Sequence, residues 1–406
     1  MDPSCNAGDR RRAPSSDRLL VIFSDIEMGI GGPTDDFPHS DFLGALITSY
    51  NQPPTRELPV DLIFNGDTFD LLKTPFLDRY PRHITAAVAT GKMDAIAQAH
   101  GPFFAAIREF LAHPHAERRV HFIVGNHDAE LVFPEVQAQI RRLCGDDPRV
   151  LFPGFRLAIG QVLIEHGSQS DRMFQVDEEH PLVEFSGEQI LHISWGAAAL
   201  LETVIPLKGL LGFHDRLKPK QLLLELIPEL HDLLMDRFWN YWLHDFWRGY
   251  FKSSDPLLQP TWTMLKEVLW RFSSQNPEVL VQDGLHQRMV ASDEYLLYVL
   301  GHKHESRWSS FGDRKLLQAG CLRNEYMLGP KGESLRPIPK TYIEAWLREE
   351  RPVISSFVEL EGPPAPDGYI PASIFDVVPK IRALGTSGSQ DAQVDQERRE
   401  RLARGD

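Results

Sequence analysis

Apolar runs along this chain repeatedly stop at polar side chains. Five of these runs are Leu19 to Phe23, Asp61 to Phe64, His121 to Val124, Val162 to Ile164 and Tyr295 to Leu300. Short runs rich in β-branched and aromatic residues and bounded by breakers predict buried strands. Polar groups just past the carboxyl end of such a strand are where α/β folds place their chemistry. We therefore predict an α/β fold with a functional site at the strand ends.

Other stretches predict the elements between these strands. Apolar residues recur at mostly helical spacing between Asp94 and His113, which favours an amphipathic crossover helix. Arg156 to Ile159 and the run from Val162 flank Gly160-Gln161 and predict a hairpin. Lys315 to Gln318 and Val353 to Leu360 are typical of later strands.

The character of the chain changes from about Ser170 to Ser292. Leucine, tryptophan and phenylalanine recur there at helical spacing, which predicts a helical insertion. The resulting division is a disordered N-terminus at 1–17, a first core segment at 18–169, the insertion at 170–292, a second core segment at 293–384 and a disordered polar tail at 385–406.

Composition narrows the function. The formal net charge of −14 over 406 residues argues against general nucleic-acid binding, which depends on Lys and Arg neutralising phosphates. Three distant cysteines with no CxxC pair favour a reducing compartment. No uninterrupted apolar stretch approaches the ~18 residues of a membrane span. We expect a cytoplasmic protein, with peripheral membrane contact through the insertion left open.

The strand ends supply oxygen and imidazole ligands but no thiolate. They are Asp25, Glu27, Asp67, Asp70, Asn126, His127, His166, His302 and His304. Such a set suits Mn²⁺, Fe or Zn²⁺ and is too large for one ion. Two ions about 3.5–4 Å apart can clamp an in-line displacement at phosphorus and lower the pKa of bound water towards about 7.

The motifs resemble those of the calcineurin-like metallophosphoesterases. In order they are SerAspIleGluMetGly, GlyAspThrPheAsp, GlyAsnHisAsp, HisGly and GlyHisLysHis, each after a predicted strand. The resemblance covers roughly Leu19 to His166 and Tyr295 to Gly320. It implies a four-layer αββα sandwich with a dinuclear metal centre, and two divalent ions, with Mn²⁺ preferred over Fe or Zn²⁺.

The resemblance also implies a role for each motif residue. The first ion would take Asp25 and His304, Asp67 would bridge, and the second ion would take Asn126, His166 and His302. His127 would protonate the leaving oxygen or hold a phosphate oxygen, and Asp70 would orient it. A carboxylate partner raises an imidazole pKa and fixes its tautomer, as a general acid near neutral pH requires.

Glu27 departs from the family pattern, in which the first motif has histidine. One alternative is that its carboxylate ligates the first ion, favouring harder ions such as Mn²⁺ or Mg²⁺ and making the bound water less acidic. The other is that Glu27 does not reach the metal and leaves that site weak or empty. We count Glu27 among the metal ligands and leave the second alternative open.

The insertion resembles, in position and helicity, the cap of bacterial UDP-2,3-diacylglucosamine pyrophosphatases, which receives acyl chains. Those enzymes have arginine where this chain has His127, and the insertion here is larger. A lipid-linked nucleotide or other phosphorylated small molecule is the implied substrate. Arg172, with Arg216, Lys218 and Lys220, would hold its phosphates, unless these residues form a solvated basic face.

The sequence thus predicts a metal-dependent phosphohydrolase that cleaves a phosphoester or a pyrophosphate. The alternative is a non-catalytic scaffold or protein-binding module on the same fold. A nuclease is opposed by the negative charge.

Overall fold

The computed structural model describes residues 4–6, 16–247, 251, 255–258, 266 and 294–384. Its strands are β1 Ser4–Asn6, β2 Arg18–Phe23, β3 Val60–Asn65, β4 Arg118–Ile123, β5 Val150–Gly154, β6 Arg156–Ile159, β7 Val162–Glu165, β8 Leu182–Phe185, β9 Glu188–Leu191, β10 Leu217–Lys218, β11 Leu297–Leu300, β12 Arg307–Phe311, β13 Arg314–Gln318, β14 Tyr326–Leu328, β15 Leu335–Pro337, β16 Lys340–Arg348 and β17 Arg351–Leu360. Its α-helices are α1 Ser40–Ser49, α2 Ala86–Ala99, α3 Gly101–Leu111, α4 Pro134–Leu143, α5 Trp195–Thr203, α6 Lys208–Leu211, α7 Lys220–Leu226 and α8 Pro228–Asn240.

Two sheets carry the fold. The larger has the strand order β1-β17-β16-β2-β3-β4-β5, in which β2 to β5 run parallel. The smaller has the order β12-β13-β11-β7-β6, in which β7, β11 and β13 run parallel. Parallel strands present their carboxyl ends at one edge of a sheet, so each sheet gathers several strand ends into one place.

Alternate residues of β2 show how the layers pack. Leu20 and Ile22 belong to an apolar cluster between the sheets, together with Ile164 and Val299 of the smaller sheet. Their neighbours in β2, such as Val21, pack instead with residues of α1 to α4 on the other face of the larger sheet. Because both faces are covered, β2 is an almost continuous apolar run, as expected for a parallel strand buried on both sides.

The structure confirms the five strands predicted from the apolar runs, and the β6–β7 hairpin. The outer face of the smaller sheet buries a small cluster around Tyr298, Leu300 and Leu316, which in the described part of the chain contains only residues of this sheet and its loops. The four-layer αββα sandwich, including a helical layer over this face, therefore stays a prediction.

The helical character predicted between Asp94 and His113 is confirmed, but two helices, α2 and α3, cover this stretch. His100 separates them with a non-helical backbone, φ −115° and ψ 32°. Pro102 follows in the first turn of α3, where its missing N–H has no helical partner to lose. A break at His100 is therefore built into the sequence.

Among its described residues, the segment 170–292 that was predicted as a helical insertion is helical only in part. Before α5 to α8 it contains the antiparallel hairpin β8–β9, which was not predicted. The hairpin turns at Ser186-Gly187, and both residues have positive φ, 53° and 82°. Such a two-residue turn twists in the sense that pairs strands well, so the Ser-Gly dipeptide was a usable signal.

The domain boundaries remain predictions. Ser4–Asn6, within the segment expected to be disordered, pairs in parallel with β17. Residues 1–3, 7–15 and the tail from 385 lie outside the described residues, as does most of 259–293. Among the helices that the structure describes, none is long and apolar enough to cross a membrane.

Candidate metal centre

The strand ends share an uncommon backbone conformation. Five non-glycine residues adopt left-handed φ values: Asp25 (53°), Glu27 (54°), Asp67 (50°), His302 (75°) and His304 (54°). Each such residue costs of order 1–3 kcal/mol, and clusters of them are typical of functional sites, where the surrounding structure holds them in place. All five directly follow β2, β3 or β11.

The two sheets meet closely at this edge. The Asn65 side chain donates to the Glu165 carbonyl at 3.0 Å, which links the ends of β3 and β7. Gly66 and Gly125 lie where side chains would collide, because an added Cβ would strike the His166 ring at Gly66 and Asp67 at Gly125. These glycines are therefore needed to let the ligand residues approach one another.

The predicted second-ion ligands come together. His166 Nε2 lies 3.1 Å from Asp67 Oδ2 and 3.2 Å from Asn126 Oδ1. His302 completes this group, since one ligand atom from it, from Asp67 and from His166 all lie within 4.8 Å of one another. His166 Nδ1 donates to the Asn65 carbonyl at 2.9 Å. That bond directs Nε2 towards the other ligands, as metal-binding histidines require.

The predicted first-ion ligands also come together. His304 Nε2 lies 3.3 Å from Asp25 Oδ1 and 3.4 Å from Glu27 Oε1. The other ring nitrogen, Nδ1, lies 2.8 Å from Glu325 Oε1. A carboxylate behind the ring is the arrangement that orients metal-binding histidines. Glu325 was not predicted, because it lies immediately before β14 and not directly after a strand.

His127 and Asp70 form the predicted pair beside these groups. His127 Nδ1 donates to Asp70 Oδ1 at 3.0 Å, and the His127 backbone N–H donates to Asp67 Oδ1 at 2.7 Å. Burial lowers the pKa of His127, but the carboxylates of Glu27, Asp67 and Asp70 outweigh it and raise the pKa to about 9. The imidazole is therefore protonated near neutral pH when no metal is bound.

Glu27 is held by two cations that sequence reasoning missed. Arg323 Nη1 donates to Glu27 Oε1 at 2.7 Å and Oε2 at 2.8 Å, and Lys73 Nζ donates to Oε2 at 2.7 Å. Burial would raise the pKa of Glu27, but Arg323 and Lys73 hold it well below its usual range. Arg323 follows β13 and could have been found by the strand-end rule. Lys73 carries no pattern that singles it out.

A cavity of ≈220 Å³ opens onto the site. One side is polar and includes Asp67, Asn126, His127, His302 and His304. The other side is apolar and comes mainly from the first part of the insertion: Leu72, Phe174, Leu200, Val204, Ile205 and Leu211. Three cations, Lys73, Lys208 and Arg323, also line it. Lys208 connects the insertion to the site, because its Nζ donates to Asp70 Oδ2 at 2.8 Å.

The cations expected to hold phosphates have separate positions. Arg172 is exposed beyond β7 and does not line this cavity, so its role stays a prediction. Arg216 is fully buried, donating to Asp36 Oδ1 at 2.8 Å and lying over the Tyr369 ring at 4.0 Å. Its place is structural, between the insertion and the core.

The donor set fits two divalent ions. Oxygen and imidazole atoms converge in two groups around Asp25 and Asp67, and the outer nitrogens of His166 and His304 are bound by a carbonyl and a carboxylate. Neutral imidazoles and carboxylates suit Mn²⁺, Fe and Zn²⁺. In the metal-free protein, the buried carboxylates Asp25 and Asp67 have the imidazoles of His166 and His304 as partners, and bound ions would take over that role.

Comparisons with known proteins give little more. No family model matches the chain, and no curated protein matches it. It is similar to a solved putative 5'-nucleotidase from Staphylococcus aureus in complex with alpha-ketoglutarate, at 11% identity over 90% of this chain with a TM-score of 0.30. It is also similar to a 5'-nucleotidase from Candida albicans SC5314, at 13% identity over 92% of this chain, again with a TM-score of 0.30. The chain spans 58% of each of those chains. Likeness this weak supports no argument about function.

Proposed function

We propose that this protein is a metal-dependent hydrolase of phosphoesters or pyrophosphates, with two divalent ions, preferably Mn²⁺, at the strand ends. The observation that carries the proposal is the convergence of two ligand groups, around Asp67 and around Asp25, with the His127–Asp70 pair beside them at the cavity. The likeness to metallophosphoesterase motifs agrees with this arrangement.

When bound, two such ions would supply an activated water and would neutralise charge that develops on the phosphoryl oxygens. The chain's own residues provide the remaining parts. Asp70 occupies His127 Nδ1, which leaves Nε2 as the ring nitrogen available to a substrate oxygen. A protonated His127 would donate its proton to the leaving oxygen, the role of a general acid.

The cations of the cavity support recognition of an anion. Lys73, Lys208 and Arg323 line it beside the ligand groups. Each also pairs with a carboxylate, so a phosphate would share cations that are already fixed in place. Fixed donors lose little conformational entropy when a substrate binds, which favours a defined phosphate position.

The apolar side of the cavity supports an amphipathic substrate. A phosphate at the metal ligands would leave the rest of the molecule against side chains such as Leu200, Ile205 and Leu211. Burying apolar substrate surface there is favourable by roughly 25 cal/mol per Å². A lipid-linked nucleotide would have both features, and it is the substrate class we propose for testing first.

Hydrolysis is tested with the full chain, Mn²⁺ and an aryl phosphoester such as p-nitrophenyl phosphate. We expect turnover that Asp67→Ala and His127→Ala abolish. The control is His180→Ala, which removes an exposed histidine whose side chain is 73% accessible. Failure to cleave any member of a broad phosphoester and pyrophosphate panel would refute the proposal.

The substrate class is tested by filling the apolar side. Leu211→Trp adds bulk at a buried lining position, whereas Leu77→Trp makes the same change at a residue that is 80% exposed. We expect Leu211→Trp to reduce turnover of a lipid-linked nucleotide by far more than turnover of the aryl phosphoester. An equal reduction for both substrates would mean that the apolar side does not bind substrate.

The second candidate is a non-catalytic scaffold, and the occupied carboxylate of Glu27 is the observation that favours it. A protein whose ligand groups are satisfied by its own cations has no need of metal. Metal analysis separates the two candidates, because two tightly bound ions per chain support the hydrolase and a protein that binds none supports the scaffold.

A further inference from the structure

Glu27 faces two directions at once. Its Oε1 atom lies 3.4 Å from His304 Nε2, which in turn lies 3.3 Å from Asp25 Oδ1. Its Oε2 atom faces Lys73 at 2.7 Å. One oxygen therefore belongs to the first ligand group, and the other belongs to a network of buried ion pairs.

Arg323 bridges these two directions. Its Nη1 atom reaches both oxygens of Glu27, and the side chain is only 4% exposed. Its Nη2 atom reaches Asp215 Oδ2 at 3.1 Å, and that aspartate is about half exposed. Lys73 is shared more widely, since it also contacts Asp36 at 2.7 Å. The guanidinium is always charged, so Glu27 has a permanent buried counter-charge.

This pairing changes the charge of the ligand set. Asp25, Glu27 and Asp67 would together present three carboxylates to two ions, but one of the three already has a cation against both of its oxygens. Burying a carboxylate without such a partner is costly, and removing the partner alone leaves an uncompensated charge. Glu27 and Arg323 are therefore expected to act as a unit.

We propose that Glu27 ligates the first ion through Oε1 while Arg323 neutralises and positions its carboxylate, so that the pair serves as one electrically neutral ligand. Arg323 is then a positioning residue of the metal centre. The inference rests on the proposed function, since it requires that the site bind metal.

The consequence can be stated as a substitution rule. A neutral ligand at position 27, such as histidine, is compatible with the site only if the arginine is removed as well. Glu27→His alone leaves the Arg323 charge beside the first ion with no carboxylate between them. Glu27→His with Arg323→Met restores a neutral ligand without the guanidinium behind it, while Lys73 keeps Asp36 and Asp70 as its carboxylate partners.

The experiment is a double-mutant comparison of Mn²⁺ binding to the full chain. Calorimetric titration gives the affinity for each ion, and metal analysis after desalting gives the number retained. We expect two ions for the wild type. We expect Glu27→His to weaken one of them by about 10–100-fold, the usual effect of disturbing the surroundings of a metal ligand. The double variant should recover at least about tenfold of that loss.

Arg18→Met is the matched control. It breaks a partly buried arginine–aspartate pair with Asp61, at 2.8 Å, at the amino ends of β2 and β3, the edge opposite the metal centre. It should leave the affinity for both ions unchanged. Circular dichroism and thermal unfolding check that each variant folds. If Glu27→His does not fold, the comparison is repeated with Glu27→Gln, alone and together with Arg323→Met, because glutamine has the same shape as the glutamate that it replaces.

Three outcomes are distinguishable from the expected one. A double variant no better than the single variant would show that Glu27 and Arg323 do not act as a unit and would overturn the inference. A wild type that binds one ion, with a double variant that binds two, would overturn it differently, because the guanidinium would then occupy the place of the first ion. A wild type that binds no ion would refute the proposed function itself.

Discussion

Metal binding at this site should release protons, and the structure sets how many. Burial lowers the pKa of His166, but Asp67 and Asp25 outweigh it and raise the pKa to about 10. Burial likewise lowers the pKa of His304, but Asp25 and Glu325 raise it to about 10. Both imidazoles are therefore protonated at pH 7 in the metal-free protein. A metal ligand must be neutral, so each histidine loses a proton when its ion binds.

The magnitude follows from the pKa values. At pH 7 each histidine lies about three units below its pKa, so deprotonating it costs about 4 kcal/mol. Between pH 7 and 10 the affinity for each ion should rise about tenfold per pH unit, because the histidine that binds that ion becomes easier to deprotonate. In the metal-free protein the raised pKa values stabilise the fold fully below about pH 6.5, the unperturbed histidine value, and this stabilisation is lost as pH rises through about 10.

The assay is calorimetric titration with Mn²⁺ at pH 7 in buffers of different ionisation enthalpy, which counts released protons. We expect about two protons for two ions. His304→Gln should remove one of them, since glutamine carries no proton to lose. Thermal unfolding of the metal-free protein should show falling stability from pH 6.5 to 10. Binding without proton release, or stability that rises over this range, would refute the reasoning.

Three further substitutions test other parts of the site and fold. Asp70→Asn should reduce kcat on an aryl phosphoester by about 10²-fold or more while metal content stays at two ions, because the carboxylate orients the general acid; lost metal would contradict that role. Gly125→Ala places a Cβ against Asp67 and should destabilise the fold by about 1–3 kcal/mol in urea unfolding, with weaker metal binding. Normal metal affinity in this variant would show that the loop can move aside. Lys92→Met leaves the buried carboxylate of Glu130 without its cation, so it should lower the free energy of unfolding by about 3–5 kcal/mol in the same assay, with metal binding unchanged. A loss below about 1 kcal/mol would mean that water reaches the pair.

Much of the candidate site could be predicted because its signals are local in the chain. An apolar run that stops at a glycine or a carboxylate marks both a buried strand and the polar residues after it, as at Asp25, Asp67 and His166. The same local rules failed where a short element looked helical by composition, as in the β8–β9 hairpin. They also missed the break at His100, although the signal, Gly101-Pro102, was present.

The sequence by itself determined the five strands whose ends form the site, and the types and order of the candidate ligands that follow them. Only the tertiary structure decided which charges meet. Arg323 and Glu27 are 296 positions apart, and Lys208 reaches Asp70 across 138 positions. No periodicity or motif connects such residues, because an ion pair depends on distance in space and on the exclusion of water around both charges. The sequence left open whether Glu27 reaches the metal. The answer depends on which charges the packing of the insertion and the smaller sheet brings against its carboxylate.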